Sequence, residues 1–128
     1  MAEIHLIATL RPAPGKAAEV HPSHFLPRFA LRRSLFTDLQ LRQILCETAE
    51  NVEQLEPSCL TFLLTECRRP DDTIEFKVIE RWASQEALEQ HQHKSWLRTM
   101  YTAFDERDLL AGPEEIEMLK VISGFTTR

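Results

Sequence analysis

The sequence predicts an α+β domain built in the order β-α-β-β-α-β, and three observations carry that expectation. Two stretches, Ile4 to Arg11 and Thr73 to Trp82, alternate apolar and polar side chains with the period of a strand. Between them Leu41, Ile44, Leu45, Thr48, Ala49, Val52 and Leu55 recur at helical spacing. The turn-forming run Arg68-Arg69-Pro70-Asp71-Asp72 then joins two strand patterns into an antiparallel hairpin. That order is the split βαβ, ferredoxin-like plan, a four-stranded antiparallel sheet with its helices on one face.

Each element has its own warrant. In the first strand Ile4, Leu6, Ala8 and Leu10 share one side, and Pro12-Ala13-Pro14-Gly15 cannot continue a ladder. A helix could begin over Lys16 to Val20. Residues 21–36 contain Pro22 and Pro27 yet are rich in Phe and Leu; they are expected to pack as a loop with a short helical turn from Pro27 to Leu35. Thr37 and Gln40 have capping-box spacing for a helix over Thr37 to Gln54, stopped by Pro57-Ser58. Cys59 to Cys67 reads as a strand with Leu60, Phe62 and Leu64 on one face. Ser84 is a helix N-cap, and the helix to about Phe104 has a break expected near Lys94 or Ser95. Glu115 to Ile122 alternates again as the last strand. The sheet face away from the helices keeps Ile7, Leu63, Ile79, Leu119 and Val121 among polar neighbours, which predicts that a second subunit covers it.

Composition narrows the partners. With 128 residues the chain is one domain. Its 20 acids against 15 bases give a net charge of -5, which argues against a nucleic-acid surface. Arg28, Arg32, Arg33 and Arg42 cluster, which would suit either an anion or, as the plainer reading, a solvated face. Three cysteines, Cys46, Cys59 and Cys67, lack zinc-site spacing and fit free thiols in a reducing, cytoplasmic setting. No apolar run is long enough for a membrane span, and the start lacks signal-peptide features. His21 and His24, three apart with a proline between, make a weak metal motif, so no metal is expected.

The chemistry concentrates in Ile74 to His91. Glu80 shares strand parity with Phe76, Val78 and Trp82, which turns a carboxylate toward the apolar side. Ala87, Leu88 and His91 fall on one face of the following helix. An acid and a histidine pointed at each other across a strand-helix corner could line a pocket. The plainer reading of the same residues is an acid paired by a basic group at a strand end and a satisfied, half-buried histidine.

Four segments in this order resemble one family. They are the opening strand running to Pro14-Gly15-Lys16, the helix end Glu56-Pro57-Ser58-Cys59 (Ser58 where the family has glycine), Phe76-Lys77-Val78-Ile79-Glu80-Arg81-Trp82, and Ser84 to His91. Together they resemble the antibiotic biosynthesis monooxygenase domain, a dimeric α+β barrel, over residues 1–128 with an insertion at 21–36. The resemblance implies a homodimer with a pocket between sheet and helices in each subunit. It also implies a cofactor-free monooxygenase acting on an aromatic polyketide, phenol or quinol in secondary metabolism. Glu80 and His91 would then handle protons, and Phe62, Phe76, Trp82, Trp96 and Tyr101 would contact a small hydrophobic aromatic ligand. His5 is a further hydrogen-bond donor, or a group at the dimer contact. The haem-degrading branch fits poorly: no asparagine lies between Ile4 and Arg11, and position 101 is tyrosine. A non-catalytic ligand-binding or dimerisation module of the same fold would use the same aromatic walls.

Overall fold

A computed structural model describes residues 2–14 and 28–127, without the side chains of 28–35. Four strands, β1 (Ile4–Leu10), β2 (Cys59–Arg68), β3 (Ile74–Trp82) and β4 (Glu115–Leu119), form one antiparallel sheet in the order β2-β3-β1-β4. Among the described residues three helices accompany them: α1 (Arg28–Leu55), α2 (Gln85–Gln92) and α3 (Ser95–Glu106). This is the ferredoxin-like α+β arrangement that the strand and helix periodicities predict.

The core forms where the helix stripes meet the inner sheet face. Leu41, Leu45 and Val52 of α1 and Leu97, Met100 and Phe104 of α3 bury against Leu6, Ala8, Leu10, Phe76, Val78 and Trp82. Each such aliphatic side chain contributes on the order of 2 kcal/mol by leaving water. The strand parity is as read: Phe76, Val78, Glu80 and Trp82 are all buried, while Ile79 between them is exposed.

The structure corrects the sequence reading in several places. From Arg28 on, the short helical turn expected over Pro27 to Leu35 is instead part of α1, which runs unbroken for 28 residues, about 42 Å; residues 21–27 of the expected loop lie outside what is described. Arg28 to Phe36 contains no proline or glycine to interrupt the helix. Thr37 therefore lies inside the helix, not at its N-terminus. Leu55, expected in the buried stripe, is exposed at the last turn. In β2 the register with β3 slips between Cys59 and Thr61, so Leu60 is extra and exposed and does not join Phe62 and Leu64 in the core. The last strand ends at Leu119. The helix expected over Lys16 to Val20, the His21/His24 pair, the Gly15-Lys16 part of the first family segment, and the side chains of Arg28, Arg32 and Arg33 lie outside what is described.

Other local expectations hold. Ser84 Oγ accepts from Ala87 N–H at 3.1 Å and starts α2. The break falls at His93-Lys94, between α2 and α3. Ser58, where glycine was expected, needs no left-handed backbone: the described non-glycine residues with positive φ are Asp72 and Asp108. Its carbonyl instead accepts from Ala83 N–H at 2.9 Å, tying the end of α1 to the β3-α2 corner.

Candidate active site

Strand parity and two helix faces bring Glu80, His91 and Tyr101 to the space beside β3, α2 and α3, where Glu114 joins them from the connection before β4. Glu80 and Trp82 are two apart on β3, hence on one face, and the Trp82 indole N–H turns back to donate to Glu80 Oε1 at 2.9 Å. Glu80 is 8% exposed. Its expected basic partner does not exist among the described residues: the neighbours that act on its charge are Trp82, Glu114 and Glu56. Burial is the largest influence and pushes the carboxyl up to about 7. The Trp82 N–H pulls it down, while the charges of Glu114 and Glu56 push the same way as burial.

His91 ends the apolar face of α2 and is also buried. Its ring lies 4.5 Å from that of Trp82 and 6.3 Å, edge-on, from that of Phe62. Nδ1 meets both oxygens of Glu56, at 2.9 and 3.0 Å. Oε2 of Glu56 also accepts from Trp96 Nε1–H at 3.1 Å. A carboxylate accepts only, so Nδ1 carries a proton in this pairing. Glu56 thus fixes the orientation of the His91 ring.

Tyr101 on α3 closes the group. Its hydroxyl donates to Glu114 Oε1 at 2.6 Å, reaching from the helix to the connection before β4. Burial, first, and the Glu114 charge raise the Tyr101 phenol far above its ordinary value. Burial likewise raises Glu114, against the Tyr101 hydrogen bond and the His91 charge.

These side chains line two adjoining cavities of about 80 and about 30 Å³, which share Ala8, Glu80, His91, Leu97, Tyr101 and Glu114. Leu6, Leu88, Gln92, Ile116 and Met118 complete the larger, and Leu10, Leu45, Thr48, Phe62, Val78 and Met100 the smaller. The space holds water or a few heavy atoms, against some 300 Å³ or more for a drug-sized ligand.

Of the residues singled out from sequence, Glu80, His91, Phe62 and Tyr101 line this space. Trp82 stands behind it, holding Glu80 and stacked near His91. Phe76 packs in the core under the Arg42 guanidinium, away from the cavities. Trp96 reaches Glu56 with its N–H while its ring lines an open groove of about 700 Å³ between α1 and α3. His5 lies on the outer sheet face, 3.5 Å from Glu3. Sequence reasoning missed two members, Glu56 and Glu114. Glu56 stood in the Glu56-Pro57 segment, which marked it without showing its partner. Among the described residues no three His, Cys, Asp or Glu side chains come together as a set able to hold a metal ion.

The sequence model for antibiotic biosynthesis monooxygenases matches residues 40–103, half of the chain. The chain belongs to the antibiotic biosynthesis monooxygenase family. Solved structures agree on the fold. A Caulobacter crescentus protein, provisionally named an antibiotic biosynthesis monooxygenase, is 26% identical, with a TM-score of 0.66 over 94% of this chain and 91% of that one. A Deinococcus radiodurans protein with the same provisional name is 16% identical, with a TM-score of 0.62 over 98% of each chain. The Mycobacterium tuberculosis protein Rv0793 is 22% identical, with a TM-score of 0.60 over 98% of this chain and all of that one. No curated protein matches the sequence. Within the family, the matched stretch runs from α1 to α3 and so contains Glu56, Glu80, His91, Trp96 and Tyr101.

Proposed function

We propose that this member of the family is a cofactor-independent monooxygenase of a phenol, quinol or aromatic polyketide. The observation that carries the reading is the Glu80 carboxyl, buried, without a cationic partner among the described residues and poised at about 7 beside a cavity that His91 and Tyr101 also line. A general base works best with a pKa near the operating pH. In its ionised form Glu80 takes the proton of a reduced aromatic. The resulting anion reduces oxygen, one oxygen atom stays on the ring as a carbonyl, and the other leaves as water with the two hydrogens removed. His91, oriented by Glu56, offers Nε2 to the hydroxyl of the substrate or of the peroxide formed on it. The small cavity must widen for a ring to enter, and the Tyr101–Glu114 hydrogen bond is the contact that would give. Oxygen uptake with anthrone or a reduced quinol tests the assignment. Glu80→Gln should fold and lose about 100-fold or more in rate, and His91→Ala should also lose turnover; unchanged uptake in both variants would sink it.

A second reading has its own support. The cavity is small, and the outer sheet face carries an apolar row formed by the cross-strand neighbours Leu63, Ile79 and Ile7. Leu63 and Ile79 are 55% and 39% exposed. A homodimer that buries this row, with a small aromatic ligand or none, would make the chain a dimerisation or ligand-binding module. The dimer belongs to both readings. Binding of quinols without oxygen uptake would select the module.

A further inference from the structure

We propose that Glu114 is the specificity-determining residue of this cavity, admitting an uncharged phenolic ring and rejecting its carboxylated analogue. The proposal rests on the site described above, but not on its being catalytic. Glu114 follows Gly112-Pro113 and precedes β4, and it lines both cavities. The backbone on either side is held: Ala111 N–H donates to the Arg11 carbonyl at 2.8 Å, and Glu115 is bound by two guanidinium nitrogens of Arg11 at 2.8 and 3.2 Å. The Glu114 side chain holds Tyr101, which is 40% exposed, whereas Glu80 and His91 lie deeper at 8% and 5%. Tyr101 and Glu114 are thus on the solvent side of the space, and a ligand meets them first.

The charges around Glu114 come from four elements. Glu80 faces the space from β3, Glu56 stands behind it at the end of α1, Tyr101 comes from α3, and His91 from α2. The one potential cation among them, His91, already faces Glu56. A ligand carboxylate would enter as a further negative charge in a space partly shielded from solvent, where like charges repel more than in water. A neutral phenol instead offers a hydroxyl that either carboxylate can accept, and the aliphatic walls take its ring.

The test is anaerobic calorimetric binding of two probes differing by one carboxylate, hydroquinone and 2,5-dihydroxybenzoate, at about pH 8. The native chain should bind hydroquinone at least about tenfold more tightly. Glu114→Gln, whose amide oxygen still accepts from Tyr101, should narrow that ratio to within about threefold, chiefly by gaining affinity for the acid. Glu115→Gln, which removes the same charge one residue away but outside the cavity, should leave the ratio as it is. Equal affinities in the native chain, no hydroquinone binding, or an unchanged ratio in Glu114→Gln overturns the proposal. Oxygen plays no part in this measurement, so a failed monooxygenase assay and a failed selectivity assay remain separate results.

Discussion

At Glu80 the folded chain holds a proton that the unfolded chain releases at lower pH, because burial raises the carboxyl from 4.5 to about 7. The sign of the effect on stability follows. Below about pH 4 both states are protonated and Glu80 is neutral in effect; between the two values the unfolded state ionises first and stability falls as pH rises. Above about pH 8 the deficit levels off at about 3 kcal/mol. Glu80→Gln keeps an oxygen for the Trp82 N–H but never ionises. Its unfolding free energy in urea should equal the native value near pH 4 and exceed it by up to about 3 kcal/mol near pH 8. A constant difference across that range would mean that Glu80 is not desolvated. The inward direction of Glu80 was legible, since strand parity alone gives it. What opposes or supports its charge was not: Glu56 is 24 positions earlier and Glu114 34 positions later, and only the folded chain brings them near.

Among the elements, the end of α1 does more than the helix pattern indicated. Glu56 receives Nδ1–H of His91 from α2 and Nε1–H of Trp96 from α3, so one side chain joins three helices. Glu56→Ala strands a buried imidazole donor and a half-buried indole donor. It should cost about 3 kcal/mol in urea unfolding, with an unchanged denaturant slope. Glu56→Gln, which keeps one acceptor oxygen, should cost about half as much. Equal stability of Glu56→Ala and the native chain would remove Glu56 from the framework. The strands of the hairpin, the Ser84 cap and the break at Lys94 were readable because turn, cap and periodicity signals are local. The length of α1 was not, since prolines ahead of a helix start look like breaks within it. Nor was the slip at Leu60, because a bulge leaves alternation in the sequence while shifting which residue faces the core.

For the whole molecule, the sheet has two different faces. The inner one makes the core with α1 and α3; the outer one leaves the Leu63–Ile79–Ile7 row in water. The order of elements and the apolar remainder on that face were both legible, because each depends only on which parity of each strand is hydrophobic. If a second copy covers the row, Ile79→Glu should turn a sedimenting dimer into a monomer while keeping the helix content seen by circular dichroism. A native chain that sediments as a monomer, or a variant that remains dimeric, would place the contact elsewhere. The site itself was half legible: its acid and histidine came from one continuous stretch, but the parts of Glu56 and Glu114 and the small size of the cavity come from packing.

The central claim is that Glu80 accepts the proton of an oxygen-reactive aromatic. Oxygen uptake against pH, measured for the native chain and for Glu80→Gln with the same quinol, tests it most directly. The native rate should rise to a plateau through a single inflection near pH 7, and the variant should lose both the inflection and about 100-fold of the plateau rate. A variant that keeps the native profile and rate would contradict the account.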